Sequence, residues 1–182
     1  RFEQGKFDKA VLVEEGTTNL VLNGNGEQGD AWWLIDEANR FHWNSELLAF
    51  ENQPSAPVYS YRTKSPNIPV TPGVSYTYSL YMKGNAWAMY MRFFDSNNTQ
   101  LSEQRLNLYP FDNQQDDYFR RFSVTATAPA NASYAVLYFD TYLRYNLLRY
   151  IQFEAKPYAT TYINGTRSPE TLTIPTAGVL NP

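Results

Sequence analysis

Hydrophobic and polar residues alternate with period two along most of this chain. Between 74 and 83, Val74, Tyr76, Tyr78, Leu80 and Met82 are interleaved with Ser75, Thr77, Ser79, Tyr81 and Lys83, the signature of a half-buried strand whose first set faces a core. After Gly84-Asn85 the alternation resumes: Trp87, Met89, Met91 and Phe93 form one set, Ala88, Tyr90, Arg92 and Phe94 the other, and Asp95-Ser96-Asn97-Asn98 closes the run. The two runs read as the arms of a hairpin. Further strands are predicted over 101–109, 118–128, 134–141 and 148–154, with Pro129 stopping the second of these. Upstream, 10–13, 19–22, 31–35, 40–43 and 58–62 are shorter strand candidates, and 45–50 is the one place for a turn of helix. Eight or more antiparallel strands separated by turn signals predict an all-β fold, an antiparallel β-sandwich of jelly-roll type.

Composition shifts attention from catalysis to binding. The 182 residues include 15 tyrosines, 11 phenylalanines and four tryptophans, but no cysteine and one histidine. Exposed tyrosine and tryptophan suit stacking against sugar rings or another protein, although most such rings in a β-rich domain belong to its core. A net charge of -3 offers no basic face for nucleic acid. Without cysteine there is no disulfide, zinc–thiolate site or thiol nucleophile, and no run of about 18 apolar residues predicts membrane insertion. Arg1 opens no signal peptide, and the chain reads as a fragment of something larger. His42, between Phe41 and Trp43, lacks the partners of a nucleophilic triad, and the pairs Glu14-Glu15 and Asp116-Asp117 read as solvated loop charges. A non-enzymatic role is therefore expected, with no cofactor.

Several short motifs, in order, resemble carbohydrate-binding modules. The segment 19–29, Asn-Leu-Val-Leu-Asn-Gly-Asn-Gly-Glu-Gln-Gly, followed by Trp32-Trp33, is similar to the N-L-x-x-N-G-x-F-E-x-G opening of jelly-roll modules of the family 4, 9 and 22 type. Pro72-Gly73-Val74-Ser75-Tyr76-Thr77-Tyr78-Ser79 resembles their P-G-x-x-Y-x-x-S strand, and 122–129 with 134–139 their closing strand pair. The run 151–163, from Ile151-Gln152-Phe153-Glu154 to Ala159-Thr160-Thr161-Tyr162-Ile163, resembles the Q-L-E-x-x-x-x-A-T-x-Y-I ending of such modules in bacteriophage tail and minor structural proteins. Residues 5–11 resemble the last strand of a laminin-G or concanavalin-like domain, and 165–175 the lead-in to another. The resemblance implies a module over 19–163, with 1–18 as the end of a preceding domain or linker plus first strand and 164–182 leading to a following domain.

Two departures from the pattern alter what it implies. Gly26 stands where the family has phenylalanine, so another aromatic, Trp32 or Trp33, is expected to supply that core anchor. Arg149-Tyr150 stand where an acidic pair helps hold structural calcium, leaving Glu27 as a weak metal ligand on its own.

The resemblance implies glycan binding on one sheet face, in a virion tail or at a cell surface. Alternation puts Tyr81, Lys83, Tyr90 and Arg92 on an outer face, with Gln104, Arg120 and Gln152 as hydrogen-bonding partners and Phe94, Trp32 and Trp33 as further stacking candidates. The expected partners are a polysaccharide or cell-surface glycan and neighbouring domains of the same polypeptide. A second cluster, Tyr138, Tyr142, Arg144, Tyr145, Arg149 and Tyr150, has the composition of a subunit or interdomain contact and keeps a homo-oligomer open. The competing readings are a structural spacer that binds no sugar and, behind it, a polysaccharide-degrading enzyme with two facing carboxylates.

Overall fold

A computed structural model describes residues 2–3, 10–11, 14–35, 41–52, 60–108 and 118–170. The outer parts of several predicted strands, at 12–13, 40, 58–59 and 109, and the Asp116-Asp117 pair lie outside the described residues. So do the side chains of Tyr142, Arg144 and Tyr145. No helix occurs among the described residues; 45–48 form the turn of a β-hairpin, and 19–22 form no strand. The strands are β1 (Phe2–Glu3), β2 (Ala10–Val11), β3 (Thr17–Thr18), β4 (Leu34–Ile35), β5 (Phe41–Asn44), β6 (Ala49–Asn52), β7 (Ser60–Lys64), β8 (Ile68–Pro69), β9 (Ser75–Phe94), β10 (Gln100–Asn107), β11 (Arg120–Thr127), β12 (Tyr134–Glu154) and β13 (Thr166–Arg167). All their pairings are antiparallel.

Two long strands organise the sandwich. The hairpin expected around Gly84-Asn85 does not form: 75–94 is a single strand, and so is 134–154, where two strands were expected. Tyr76 and Phe93 lie 17 positions apart in β9, a span of about 56 Å if straight, yet their ring centroids are 6.4 Å apart. The strand therefore folds back across the core, and its halves meet face to face instead of edge to edge.

Each half belongs to a different layer. In the first layer β11 pairs with the start of β9, which pairs with the end of β12, then β6 and β5. In the second, β10 pairs with the end of β9, which pairs with the start of β12, then β7 and β4, while β8 extends the β12 edge.

The bend has two causes in the sequence. Gly84 adopts φ 92°, a conformation costly for any residue with a Cβ. Trp87 is a bulge, since Asp140 pairs with Ala88 and Thr141 with Ala86, leaving Trp87 unmatched. A one-residue bulge flips the alternation. Tyr76, Tyr78, Leu80 and Met82 thus share one core with Met89, Met91 and Phe93, as the pattern predicts, while Trp87 is 40% exposed and Ala86 takes its inward place.

Segment 19–29, which resembles the opening of carbohydrate-binding modules, has a clear structural role here. Asn19 Oδ1 accepts from the amides of Val21 and Phe153, and its Nδ2 donates to the carbonyls of Ile151 and Ile163, stitching the incoming chain to β12. Asn23, fully buried, closes the 24–31 turn through the Gly29 and Ala31 carbonyls and the Gln28 amide. A Cβ on Gly24 would lie 2.0 Å from the Ile151 carbonyl oxygen. At Gly26 the space of a Cβ is taken by the Trp43 ring, so Trp43, not Trp32 or Trp33, fills the position opened by the missing phenylalanine. Beyond 19–163, β13 pairs with β3, and Glu14 receives hydrogen bonds from Thr161 and Arg167.

Candidate functional site

The bend in β9 separates residues that the sequence places together. Tyr81 and Lys83 point away from the core on the first layer, whereas Tyr90 and Arg92 do so on the second. Because the two layers sandwich one core, these are opposite faces of the molecule. Tyr81 and Tyr90 cannot act as neighbours.

On the second layer, directly paired residues build ordered rows. Leu34, Lys64, Tyr138, Tyr90 and Arg105 stand in one row across β4, β7, β12, β9 and β10. Arg62, Asp140, Ala88 and Asn107 form the row on one side of it, and Val136, Arg92 and Glu103 the row on the other. Directly opposed side chains on one face touch, and here they interlock. The Tyr90 and Tyr138 rings stack at 4.8 Å with planes 4° apart. Arg92 lies 5.2 and 4.9 Å from their centroids, Arg62 5.8 and 5.7 Å, and Arg105 4.9 Å from Tyr90.

Asp140 is the anchor of this lattice. Arg62 donates to it from Nε at 2.9 Å and from a terminal nitrogen at 3.2 Å, the two-pronged geometry that a guanidinium makes with a carboxylate. The Tyr90 hydroxyl donates to the same carboxylate at 3.2 Å, and Arg105 stands 4.0 Å away. Asp140 holds the Arg62 guanidinium firmly protonated; burial, then the Asp140 charge, pushes the Tyr90 hydroxyl well above the usual phenol range. Arg92 pairs with Glu103 at 2.7 Å, and Arg105 donates to Asn107 at 2.7 Å. At the next step along the face Phe94 stacks on Tyr134 at 5.1 Å, and the Tyr134 hydroxyl donates to Asn98.

This face offers guanidinium groups to solvent in place of open rings. Tyr90 is 0% exposed, while the side chains of Arg62, Arg92 and Arg105 retain 43, 25 and 28% of their surface. Direct stacking of a ligand on the Tyr90 ring is thereby closed off, and hydrogen bonding from the arginines is open.

The other predicted residues lie elsewhere. Gln104 pairs with Met91, so it has core-facing parity at the exposed sheet edge instead of the arginine face. Arg120 pairs with Met82 across the first layer and stacks 4.9 Å over Tyr118. Gln152 is fully buried, donating to Glu154 and Thr160 and accepting from the Ile163 amide, so it is structural. Trp33 is a core residue whose indole donates to the Asn23 carbonyl, and Trp32 packs edge-on against it at 4.9 Å. Glu27 receives a hydrogen bond from Asn164, and no group of three or more metal-ligating side chains exists among the described residues. His42 sits 3.4 Å from Glu51 in the first layer.

The first layer's outer face is partly covered by the chain itself. Residues 155–163 fold over it, with Thr77 donating to the Lys156 carbonyl and Arg121 to that of Thr160. What stays open is an aromatic corner: Tyr81 meets Tyr150 edge-on at 5.9 Å, Tyr150 lies 5.0 Å from Tyr162, and Arg149 packs 3.4 Å over Phe119. Tyr150 has φ 55° and is 39% exposed. Burial, with the nearby Glu27 charge, pushes the Tyr162 hydroxyl up to about 12. The Tyr-Arg cluster read from sequence is thus divided, with Tyr138 on one face and Arg149 and Tyr150 on the other.

No family model matches this sequence, and no curated protein does. Solved structures do. The enzymatically active domain of tailspike protein 4 from bacteriophage CBA120 aligns with 75% of this chain at 16% identity and a TM-score of 0.57. This chain spans about a fifth of that one, 21%. A family 16 carbohydrate-binding module aligns over 74% of this chain and 99% of its own length, at 17% identity and a TM-score of 0.54. A family 61 module, solved with β-1,4-galactotriose, aligns over 76% and 99%, at 8% identity and a TM-score of 0.50. These likenesses define the class of fold, an antiparallel β-sandwich of carbohydrate-binding-module type. At such identities they speak to the fold alone.

Proposed function

We propose that this chain is a non-catalytic carbohydrate-recognition module of a surface-borne or phage-tail protein, binding glycan through the outer face of its second layer. The observation that carries this reading is the lattice of Arg62, Arg92 and Arg105 over the Tyr90-Tyr138 stack. Its guanidinium groups are fixed before any ligand arrives, so little side-chain entropy is lost on binding. Fixed donors suit the hydroxyls of a sugar chain lying along the rows. The fold shared with modules of families 16 and 61, the latter solved with a galactotriose, supports the ligand class. The likeness to a phage tailspike domain supports the tail setting.

A structural spacer is the second reading, and the complete burial of Tyr90 favours it. A glycan array followed by calorimetric titration separates the two. Binding of an oligosaccharide that is lost in Arg92→Ala or Arg105→Ala, with folding retained, supports recognition at this face. Absence of binding across the array overturns it in favour of the spacer.

A further inference from the structure

Among the described residues the second layer's outer face carries more positive than negative charge, although the whole chain carries -3. Arg62, Lys64, Arg92 and Arg105 occupy adjoining rows, with Asp140 and Glu103 the carboxylates that balance them among the described residues. Asp140 is committed to Arg62 and to the Tyr90 hydroxyl, and Glu103 to Arg92. Two cations are left underused. Arg105 reaches Asp140 only at 4.0 Å and otherwise binds the neutral Asn107. Lys64 has no carboxylate partner among the described residues. They stand at the ends of the row Lys64, Tyr138, Tyr90, Arg105, three strand spacings or about 14 Å apart.

We infer that this face selects an acidic polysaccharide, one carrying carboxylate groups, with Lys64 and Arg105 as the residues that recognise its charge. This rests on the reading of the chain as a glycan-binding module. Four cations gathered around two stacked rings repel one another, and among the described residues two carboxylates relieve that repulsion. A ligand carboxylate between the rows would complete the balance. The planar fork of Arg105 can take a ligand carboxylate in two-pronged fashion. Lys64, a point charge on a flexible stem, tolerates variation in where the second acidic unit falls.

The test uses the 182-residue chain in affinity electrophoresis and calorimetry against polygalacturonate, neutral galactan and dextran sulfate. The expected result is binding to polygalacturonate at least ~10-fold tighter than to galactan, as one charge-assisted hydrogen bond contributes. Lys64→Gln and Arg105→Gln should each weaken it by about that factor, with unchanged melting temperatures. Equal or tighter binding to galactan overturns acidic selection while leaving the glycan-binding reading intact. Tighter binding to dextran sulfate, or polygalacturonate binding unaffected in both variants, overturns the assignment of carboxylate to these residues. No binding to any of the three overturns acidic selection, and no binding to any glycan on the array as well overturns both readings together.

Discussion

Replacing Asp140 by asparagine removes one charge from the centre of the arginine lattice while keeping its shape. The carboxylate takes two hydrogen bonds from Arg62 and one from the Tyr90 hydroxyl, and stands 4.0 Å from Arg105. Removing one partner of a buried, hydrogen-bonded ion pair costs about 3–5 kcal/mol. Here Asp140 is buried but the Arg62 side chain is 43% exposed, so water recovers much of the guanidinium's solvation. The amide also keeps one acceptor oxygen. A loss of about 2 kcal/mol is expected, from hydrogen bonds to a charged group discounted for that exposure. For a chain of this size it corresponds to a fall in melting temperature of about 4–8 °C.

Electrostatics makes this prediction sharper. Asp140→Asn removes one of the carboxylates that offset the four cations, so the fall should be largest at low salt and shrink near 1 M, where the Debye length is about 3 Å. Thermal denaturation of Asp140→Asn, Arg62→Met and the double variant measures the coupling, expected at about 1 kcal/mol or more. A melting temperature within about 1 °C of the parent at low salt, or strict additivity in the double variant, would refute the view that Asp140 holds the arginine lattice together.

Two further outcomes follow from local geometry and charge. Gly26→Ala should destabilise the fold by roughly 2 kcal/mol or more, because φ 74° strains any Cβ and the new atom would sit 2.0 Å from the Trp43 ring; unchanged melting and unchanged tryptophan fluorescence would contradict it. Burial raises the proton affinity of the Glu14 carboxyl, but the Thr161 hydroxyl and amide, then the Arg167 and Arg121 charges, outweigh it and hold its pKa below the ordinary 4.5. Its contribution is therefore fully present above pH 4.5 and lost as the pH falls through the lowered value, so the melting curves of Glu14→Gln and the parent should converge in acid. Curves that stay equally separated across that range would show that Glu14 does not act through its charge.

Much of the fold was legible because strand alternation is a local property. Tyr76 through Met82 and Met89 through Phe93 face one core as the period-two pattern requires, and Pro129 ends its strand. The bend was hidden, since Gly84-Asn85 carries the chemistry of a hairpin turn and nothing local reveals that both halves pair with β12 instead of each other. Alternation alone puts Tyr81 and Tyr90 on one face, whereas the neighbours of Tyr90 are Tyr138 and Asp140, half a hundred positions away. The alternation of Tyr134, Val136, Tyr138 and Asp140 was a readable signal for an outward set, and Arg62 and Lys64 repeat it in β7. Their register against β9 was not readable, because it depends on long-range pairing. Gln152 looked available only because sequence cannot show the 155–163 segment folding over it.

The way β12 joins the layers also bears on how the chain is made. β5 pairs with β6 and β4 with β7, but these two pairs reach the rest of the sandwich through β12. A ribosome delivers β12 last among the long strands. Until β12 has emerged, the pairs β5–β6 and β4–β7 have no sheet to join, and the two halves of β9 lack the one strand that pairs with both. The native pairing thus waits on contacts between residues about a hundred positions apart, the kind of closure that makes β-sandwiches slow to fold and vulnerable to aggregation meanwhile.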